Sequence, residues 1–414
     1  MAVIRPFRAL RPQPALAAKV ASLPYDVMNS QEAAAMAAGN PYSFLHVSRA
    51  EIDLPPGTDE HSPEVYQKAN ENFKKLIHDR VLIQDEMPLL YLYSQTMHGR
   101  EQVGLVACCS IDDYFQNIIK KHEFTRPDKE EDRIRHTQAL QAHVGLIFLT
   151  YPENRNVSAI VQQVMQSRNP VYDFTSGDQI RHKVWIIDDP EKIETIVRIF
   201  RDEIPFTYIA DGHHRTASAA KVGLRLREQN PQHTGNEEYN FFQAALFPHT
   251  HLAIMDYNRV VRDLNGWTPE EFLHRLSEKF EVSPPANVIL RPGAIHEFTM
   301  YLENKWYRLR ARPHIIRQDP IGVLDVTILQ ENVLEPLLGI RDPRTDKRID
   351  FVGGIRGLEE LQRRVNSGEM RIAFALYPVS LKQLMDIADS GNVMPPKSTW
   401  FEPKLRDGLF CHLF

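Results

Sequence analysis

Apolar residues recur along the chain with two periods, and the alternation between them predicts the elements. Val65, Ala69, Phe73 and Leu76-Ile77 fall three or four positions apart, the spacing that lines one face of a helix. Ser62 followed by Pro63 marks the start of that helix, which runs to Asp79. Residues 31–38 form a short alanine-rich helix stopped by Gly39-Asn40-Pro41. Two β-rich runs, 89–97 and 101–111, are joined by His98-Gly99-Arg100 and predict a hairpin. Residues 114–119 read as a third extended run. The charged stretch 128–141 has a helical pattern, and 144–149 is the continuous apolar run of a buried strand. Residues 154–177 read as a polar stretch, followed by a strand at 183–187, a helix at 190–201, a strand at 206–210 and a helix at 216–227 with Ala217, Ala220 and Leu224 on one face. An exposed loop at 229–238 precedes a strand at 241–247.

From about Asn258 the pattern changes to a helix at 269–280, a hairpin turning at Asn304-Lys305 and a helix at 324–338. The proline-rich tail 394–414 has no regular period. This rhythm predicts an α+β, mixed α/β fold in three regions: 1–112, 113–257 and 258–414. No internal repeat interrupts it.

Composition narrows the function classes. Of 414 residues, 43% are hydrophobic and 25% charged, as in a soluble globular protein. The net charge of −5 supplies no positive field to hold nucleic acid through its phosphates, so no nucleic-acid partner is expected. The three cysteines, Cys108, Cys109 and Cys411, do not suit a secreted disulfide framework. Arg5, Arg8 and Arg11 are followed by no apolar run of signal-peptide length, and no stretch approaches the roughly eighteen apolar residues needed to cross a bilayer. A cytoplasmic, membrane-free protein is expected, with its oligomeric state open.

The candidate chemistry lies at Asp211-Gly212-His213-His214-Arg215, with Thr216 following. A strand that passes through a tight glycine turn into a helix leaves backbone N–H groups unpaired at one spot, which favours an anion. Gly212 allows close approach, Arg215 offers a two-pronged donor, and His213 and His214 add donors that protonate near neutral pH. N-capping by Asp211 and an ion pair for Arg215 would be the plainer explanation. Two histidines and an arginine in one turn exceed what capping needs.

Tyr208-Ile209-Ala210-Asp211-Gly212-His213-His214-Arg215 resembles the phosphate-gripping signature of the ParB and sulfiredoxin superfamily, in which a glycine and an arginine three residues later introduce a helix. Its Asp-Gly-His-His-Arg form is similar to that of the ADP-dependent free serine kinases. The chain as a whole resembles a large bacterial and archaeal family known only as a domain of unknown function, through Leu23-Pro24-Tyr25-Asp26-Val27, Asn40-Pro41-Tyr42-Ser43-Phe44, Lys121-His122-Glu123-Phe124-Thr125 with Asp132-Arg133, Leu324-Asp325-Val326 and Pro395-Pro396-Lys397-Ser398-Thr399. The resemblance implies a ParB/sulfiredoxin-like core at 113–257 with α+β additions on both sides. It also implies that Glu123, next to His122, is the base that activates the serine hydroxyl. Read from residues alone, Glu123 is a solvated charge in an acidic and basic run.

Other residues leave alternatives open. Tyr25 and Asp26 suit either ligand binding or turn formation. Asp132-Arg133 reads as an ion-paired helix face, and the resemblance moves Arg133 toward ligand binding. Lys397, Ser398, Thr399 and Lys404 lack the glycines of a Walker A motif; they contact a phosphate or carboxylate, or form a strap packed by Trp400 and Phe401. His249 and His251 have no third partner of metal-site spacing, so zinc is not expected there. No GxGxxG or Gly-x-Ser-x-Gly motif occurs.

The expected function is phosphoryl transfer between an adenine nucleotide, ADP or ATP, and free serine, or in reverse from phosphoserine, with Mg²⁺. Glu123, Asp211 and His213 are the expected catalytic residues, Asp211 doubling as metal holder, and Gly212, His214, Arg215 and Thr216 the phosphate grip. Two alternatives remain: a phosphoserine phosphatase with water as acceptor, and a non-enzymatic ParB-like nucleotide-binding module.

Overall fold

His98 and Gly99 both adopt left-handed backbone conformations, with φ of 50° and 80°, so two residues suffice to reverse the chain with the twist that antiparallel strands require. The hairpin they close is the centre of a mixed nine-stranded sheet. The computed structural model describes residues 1–414, and its strands here are β1 (Ile4–Arg5), β2 (Leu90–Met97), β3 (Arg100–Ser110), β4 (Ile119–Lys120), β5 (Ile147–Tyr151), β6 (Tyr172–Thr175), β7 (Arg181–Ile187), β8 (Thr207–Asp211) and β9 (Phe241–Pro248). They lie in the order β4-β8-β5-β9-β3-β2-β7-β6, with β1 beside the end of β3. β4 runs parallel to β8 and β5 parallel to β9; the other neighbours are antiparallel. The fold is mixed α/β, as expected.

Both faces of this sheet are buried, which is why its strands read as nearly unbroken apolar runs. On one face Leu90, Leu92, Leu105, Leu149, Ile209 and Leu246 form a core with Val157 and Val164 of α4 (Arg155–Ser167) and Ile196 and Phe200 of α5 (Pro190–Glu203). The other face presents Tyr91, Tyr93, Gln95 and Gln243, all buried. Residues Pro403–Phe414 cover it as an extended strap. Gln95 Nε2 donates to the Lys404 carbonyl at 2.9 Å, and Gln243 Nε2 donates to the carbonyls of His143 and Phe410 at 3.1 and 3.0 Å. Buried amides are costly without such partners, so these glutamines fix where the strap runs. α1 (Ser30–Ala37), α2 (Pro63–His78), α3 (Pro127–Leu140) and α6 (His213–Gln229) also belong to this part; α2 shares a second core with Phe44, Val144 and Cys411.

The chain divides into two compact units, Met1–Leu252 with Pro403–Phe414, and Ala253–Glu402. The second carries an antiparallel six-stranded sheet of β10 (Tyr257–Val261), β11 (Phe280–Val282), β12 (Glu297–Leu302), β13 (Lys305–Ala311), β14 (Ile349–Gly353) and β15 (Ile372–Leu376), in the order β11-β13-β12-β15-β10-β14. Its core joins Val260, Tyr301, Trp306 and Ala373 to Leu358 and Leu361 of α8 (Gly357–Asn366); α7 (Pro269–Lys279) and α9 (Leu381–Asp389) also belong to it. No helix of the chain is long and apolar enough to cross a membrane.

Four local expectations need correction. Residues 114–119 are not one extended run: Ser110 Oγ accepts from Asp112 N at 3.2 Å and caps a helical turn at Ile111–Phe115, leaving only β4 as strand. The polar stretch 154–177 contains α4 and β6, and Asn154 caps α4; the helical spacing of Val157, Ile160, Val161 and Val164 is flanked by polar residues that hide it. The hairpin of the second unit turns at Glu303-Asn304, both left-handed, one residue earlier than expected. The helix at 324–338 is a short α segment, Asp325–Leu329, widened into a π-helical turn over Gln330–Leu334.

Gly223 of α6 sits where a Cβ would lie 2.3 Å from the Tyr239 carbonyl oxygen and 2.7 Å from Ile111 Cδ1. Helix propensity alone makes Gly→Ala stabilising by about 1 kcal/mol. Here a backbone atom blocks the methyl, so Gly223→Ala is expected to destabilise the protein by about 1–3 kcal/mol in urea unfolding. A gain in stability would show that α6 does not pack against the 238–240 turn in this way.

Candidate functional site

The parallel pairing of β4 with β8, in the register Thr207↔Ile119 and Tyr208↔Lys120, brings the carboxyl ends of the two strands to the same edge of the sheet. The residues that follow each strand therefore meet. After β8 the chain turns at Gly212, with φ of 94°, and enters α6 at His213. After β4 it delivers His122 and Glu123. The His122 and His213 rings touch edge to face, centroids 4.4 Å apart at 87°, and Glu123 Oε2 lies 3.8 Å from His213 Nδ1 with its side chain 57% exposed. The Arg126 backbone N–H donates to His214 Nε2 at 3.0 Å and holds this loop against the helix start.

No side chain caps α6. Asp211 Oδ1 accepts from the Gly212 N–H at 2.7 Å, and the Thr216 N–H already donates to the Gly212 carbonyl. The N–H groups of His213, His214 and Arg215 are left at the positive end of a 17-residue helix, a position that favours an anion. Thr216 Oγ1 donates to the Gly212 carbonyl at 2.9 Å and so braces the turn.

Arg215 points inward rather than outward. Its Nη1 donates to the Leu146 carbonyl at 2.8 Å, and its Nη2 lies 3.8 Å from Asp26 Oδ2. A Cβ on residue 212 would come within 3.3 Å of Arg215 Nε, so the glycine admits both the turn and the guanidinium beneath it. Burial opposes the charge, but Asp26, Asp211 and Asp407 outweigh it and raise the Arg215 pKa. Burial would likewise raise Asp211, yet Lys404, with Nζ 2.9 Å from Asp211 Oδ2, and Arg215 hold that carboxyl well below the usual range. For Asp407 burial outweighs the neighbouring arginines: it pushes the carboxyl up to about 7 despite Arg215, and its Oδ1 has no hydrogen-bond partner.

Burial also decides the histidines. It holds His122 down to about 4, places His213 well below its ordinary value with the help of His122, and lowers His214. The expectation that His213 or His214 protonates near neutral pH is thus corrected: both are neutral there, and the helix end is what favours an anion.

Tyr25 and Asp26 belong to the underside of this site. The Arg133 guanidinium carbon lies 3.9 Å above the Tyr25 ring, burial drives the Tyr25 phenol up to about 12, and Arg133 is fixed to Asp132 at 2.7 Å. Tyr25, Arg133, Gly145, Arg215 and Asp407 line one cavity. Lys397, Ser398 and Thr399 belong to the second unit, where the Lys397 carbonyl accepts from Arg259 at 3.0 Å, the Lys397 ammonium lies 5.7 Å from the Tyr257 ring and Ser398 Oγ donates to the Pro395 carbonyl at 2.5 Å. His249 and His251 each accept from a backbone N–H, of Glu153 and Val103. Sequence reasoning missed Asp407. Its one trace is the charged run Lys404, Arg406, Asp407 set just before the apolar Leu409-Phe410-Cys411.

The chain belongs to the DUF1015 family, described as a protein of unknown function, whose model matches residues 4–327. No curated protein matches it. Among solved structures it is similar to a free serine kinase in complex with AMP, at 14% identity over 74% of this chain and 91% of that one with a TM-score of 0.34. It is also similar to a conserved hypothetical protein from Pyrococcus furiosus, at 14% identity over 74% and 94% with a TM-score of 0.33, and to C-terminally truncated SbnI from Staphylococcus aureus, at 12% identity over 72% and 82% with a TM-score of 0.37.

Asp407 yields a pH prediction. Its carboxyl titrates near 7 when folded and near its ordinary 3.8 when unfolded, so the folded state binds more protons between these values and loses stability as pH rises from about 4 to 7. Asp407→Asn removes the titration. The stability difference between variant and wild type should shift in favour of the variant across that window and level off above it. Parallel stability curves would contradict a raised Asp407.

Proposed function

We propose that the protein transfers a phosphoryl group between an adenine nucleotide and the hydroxyl of free serine, or in reverse from phosphoserine, and that the group is held at the start of α6. The observation that carries this reading is the uncapped set of N–H groups at His213, His214 and Arg215. Amides fixed at a helix end stabilise a phosphoryl group without reorganising during the reaction, and the helix dipole adds roughly half a positive charge. Arg215 beneath Gly212 and Lys404 on Asp211 balance the carboxylates around the site.

Transfer to an alcohol requires loss of its proton as the oxygen attacks phosphorus. Glu123, beside His213 and open to solvent, is the base in this reading. The serine oxygen bonds to phosphorus, its proton passes to the Glu123 carboxylate, and the bond from phosphorus to the nucleotide oxygen breaks. With ADP as donor the products are phosphoserine and AMP. The choice of serine rests on the resemblance of the Asp211 motif to the serine kinases. A ParB/sulfiredoxin-like core at 113–257 belongs to the same proposal.

Asp211 does not fit the expected role of magnesium holder. One of its oxygens takes the Gly212 N–H and the other faces the Lys404 ammonium at 2.9 Å, so a cation bound there would meet a like charge at contact distance. The exposure of Glu123 favours a second reading, in which water takes the place of serine and the protein hydrolyses phosphoserine.

Incubation of purified protein with phosphoserine, with and without AMP, separates the two. Serine and ADP appearing only when AMP is present supports transfer; phosphate release without nucleotide sinks the kinase reading. Glu123→Gln should lower kcat by about 10²–10⁴-fold with little change in KM. An unchanged kcat would remove Glu123 from the chemistry.

A further inference from the structure

The same loop-to-helix contact that places Glu123 also assembles a set of metal-ligating atoms. His122, Glu123 and His213 each offer one ligand atom, and all of these lie within 4.8 Å of one another. Both imidazoles are buried, at 1% and 6% exposure. Neither ring nitrogen of His122 makes a hydrogen bond of good geometry. Buried imidazole nitrogens normally find a partner, because leaving one without costs about 1–3 kcal/mol.

We propose that His122, Glu123 and His213 bind one divalent transition-metal ion. Two imidazole nitrogens and one carboxylate are the donor set for Zn²⁺, Co²⁺, Mn²⁺ or Fe²⁺; magnesium demands oxygen ligands in near-ideal octahedral geometry. Metal–ligand bonds of about 2.1 Å set tetrahedral donors about 3.4 Å apart. The gap of 3.8 Å between His213 Nδ1 and Glu123 Oε2 is already close to that spacing. The two histidines need little movement: one follows the end of β4, the other opens α6, and strand pairing fixes both. Three protein ligands leave a further coordination position open, as in catalytic rather than structural sites.

This site is read from the donor atoms and does not rest on the phosphoryl-transfer proposal. It does bear on it. An ion held by Glu123 engages the carboxylate that otherwise serves as base, so metal-loaded and chelated protein should differ in rate.

The test is a titration of untagged full-length protein, stripped with a chelator and dialysed, with Co²⁺ and Zn²⁺. One equivalent of Co²⁺ should give visible d–d absorption that one equivalent of Zn²⁺ abolishes and excess Mg²⁺ does not. His213→Ala should weaken Zn²⁺ binding by roughly tenfold or more. Glu123→Gln alters a side chain that is 57% exposed and should weaken binding similarly, so the test survives if the histidine variant unfolds. His78→Ala, which removes one of the other histidines among the 17 of the chain, should leave affinity unchanged. Absence of a d–d band at one equivalent, or equal affinity in Glu123→Gln and wild type, would overturn the site. Metal uptake without any phosphoryl transfer would leave this inference standing and sink the function proposed above, and transfer without uptake would do the reverse.

Discussion

The buried charge of Arg215 organises this half of the molecule. A guanidinium out of water is tolerated only when carboxylates and carbonyls surround it, and its partners come from places far apart in sequence. Asp26 lies in the N-terminal loop, the Leu146 carbonyl immediately precedes β5, Asp211 closes β8, and Asp407 lies in the C-terminal strap. The strap is also held independently, by Gln95 and Gln243 of the sheet. The arginine thus works as an internal strut under Gly212. It fixes the turn, and the turn fixes the direction of α6.

Strand pairing accounts for what stands on that strut. Because β4 runs parallel to β8 and both end at one edge, His122 and Glu123 reach the start of α6 although about ninety residues separate them from it along the chain. This is the general property of parallel neighbours in α/β sheets, whose carboxyl ends open toward a common crevice. Desolvation then divides the labour among the polar groups: His122 and His213 stay neutral, Asp211 stays ionised against Lys404, and Glu123 remains open to solvent.

How much of this was legible in the sequence depended on the range of the interaction. The glycine between an apolar run and an alanine-rich helix marked the β8 to α6 turn correctly, because one residue decides it. The β2 and β3 hairpin was legible for the same reason, through His98-Gly99. The helix α4 was hidden by its polar flanks, and the run at 114–119 was misread because the Ser110 cap outweighs the strand propensity of Tyr114 and Phe115. Glu123 stood out only through resemblance, since nothing near it in sequence distinguishes it from Glu130 or Glu131. The pairing of Lys404 with Asp211 spans 193 residues and leaves no local trace. The neutrality of His213 follows from burial, which a motif does not encode.

The central claim is that the free amides opening α6 receive a phosphoryl group. A crystal structure of the protein with phosphoserine tests it most directly. Phosphate oxygens should lie about 2.9 Å from the backbone nitrogens of His213, His214 and Arg215, with the amino acid extending toward Glu123. Phosphoserine bound elsewhere, with no phosphate at those three amides, would contradict it.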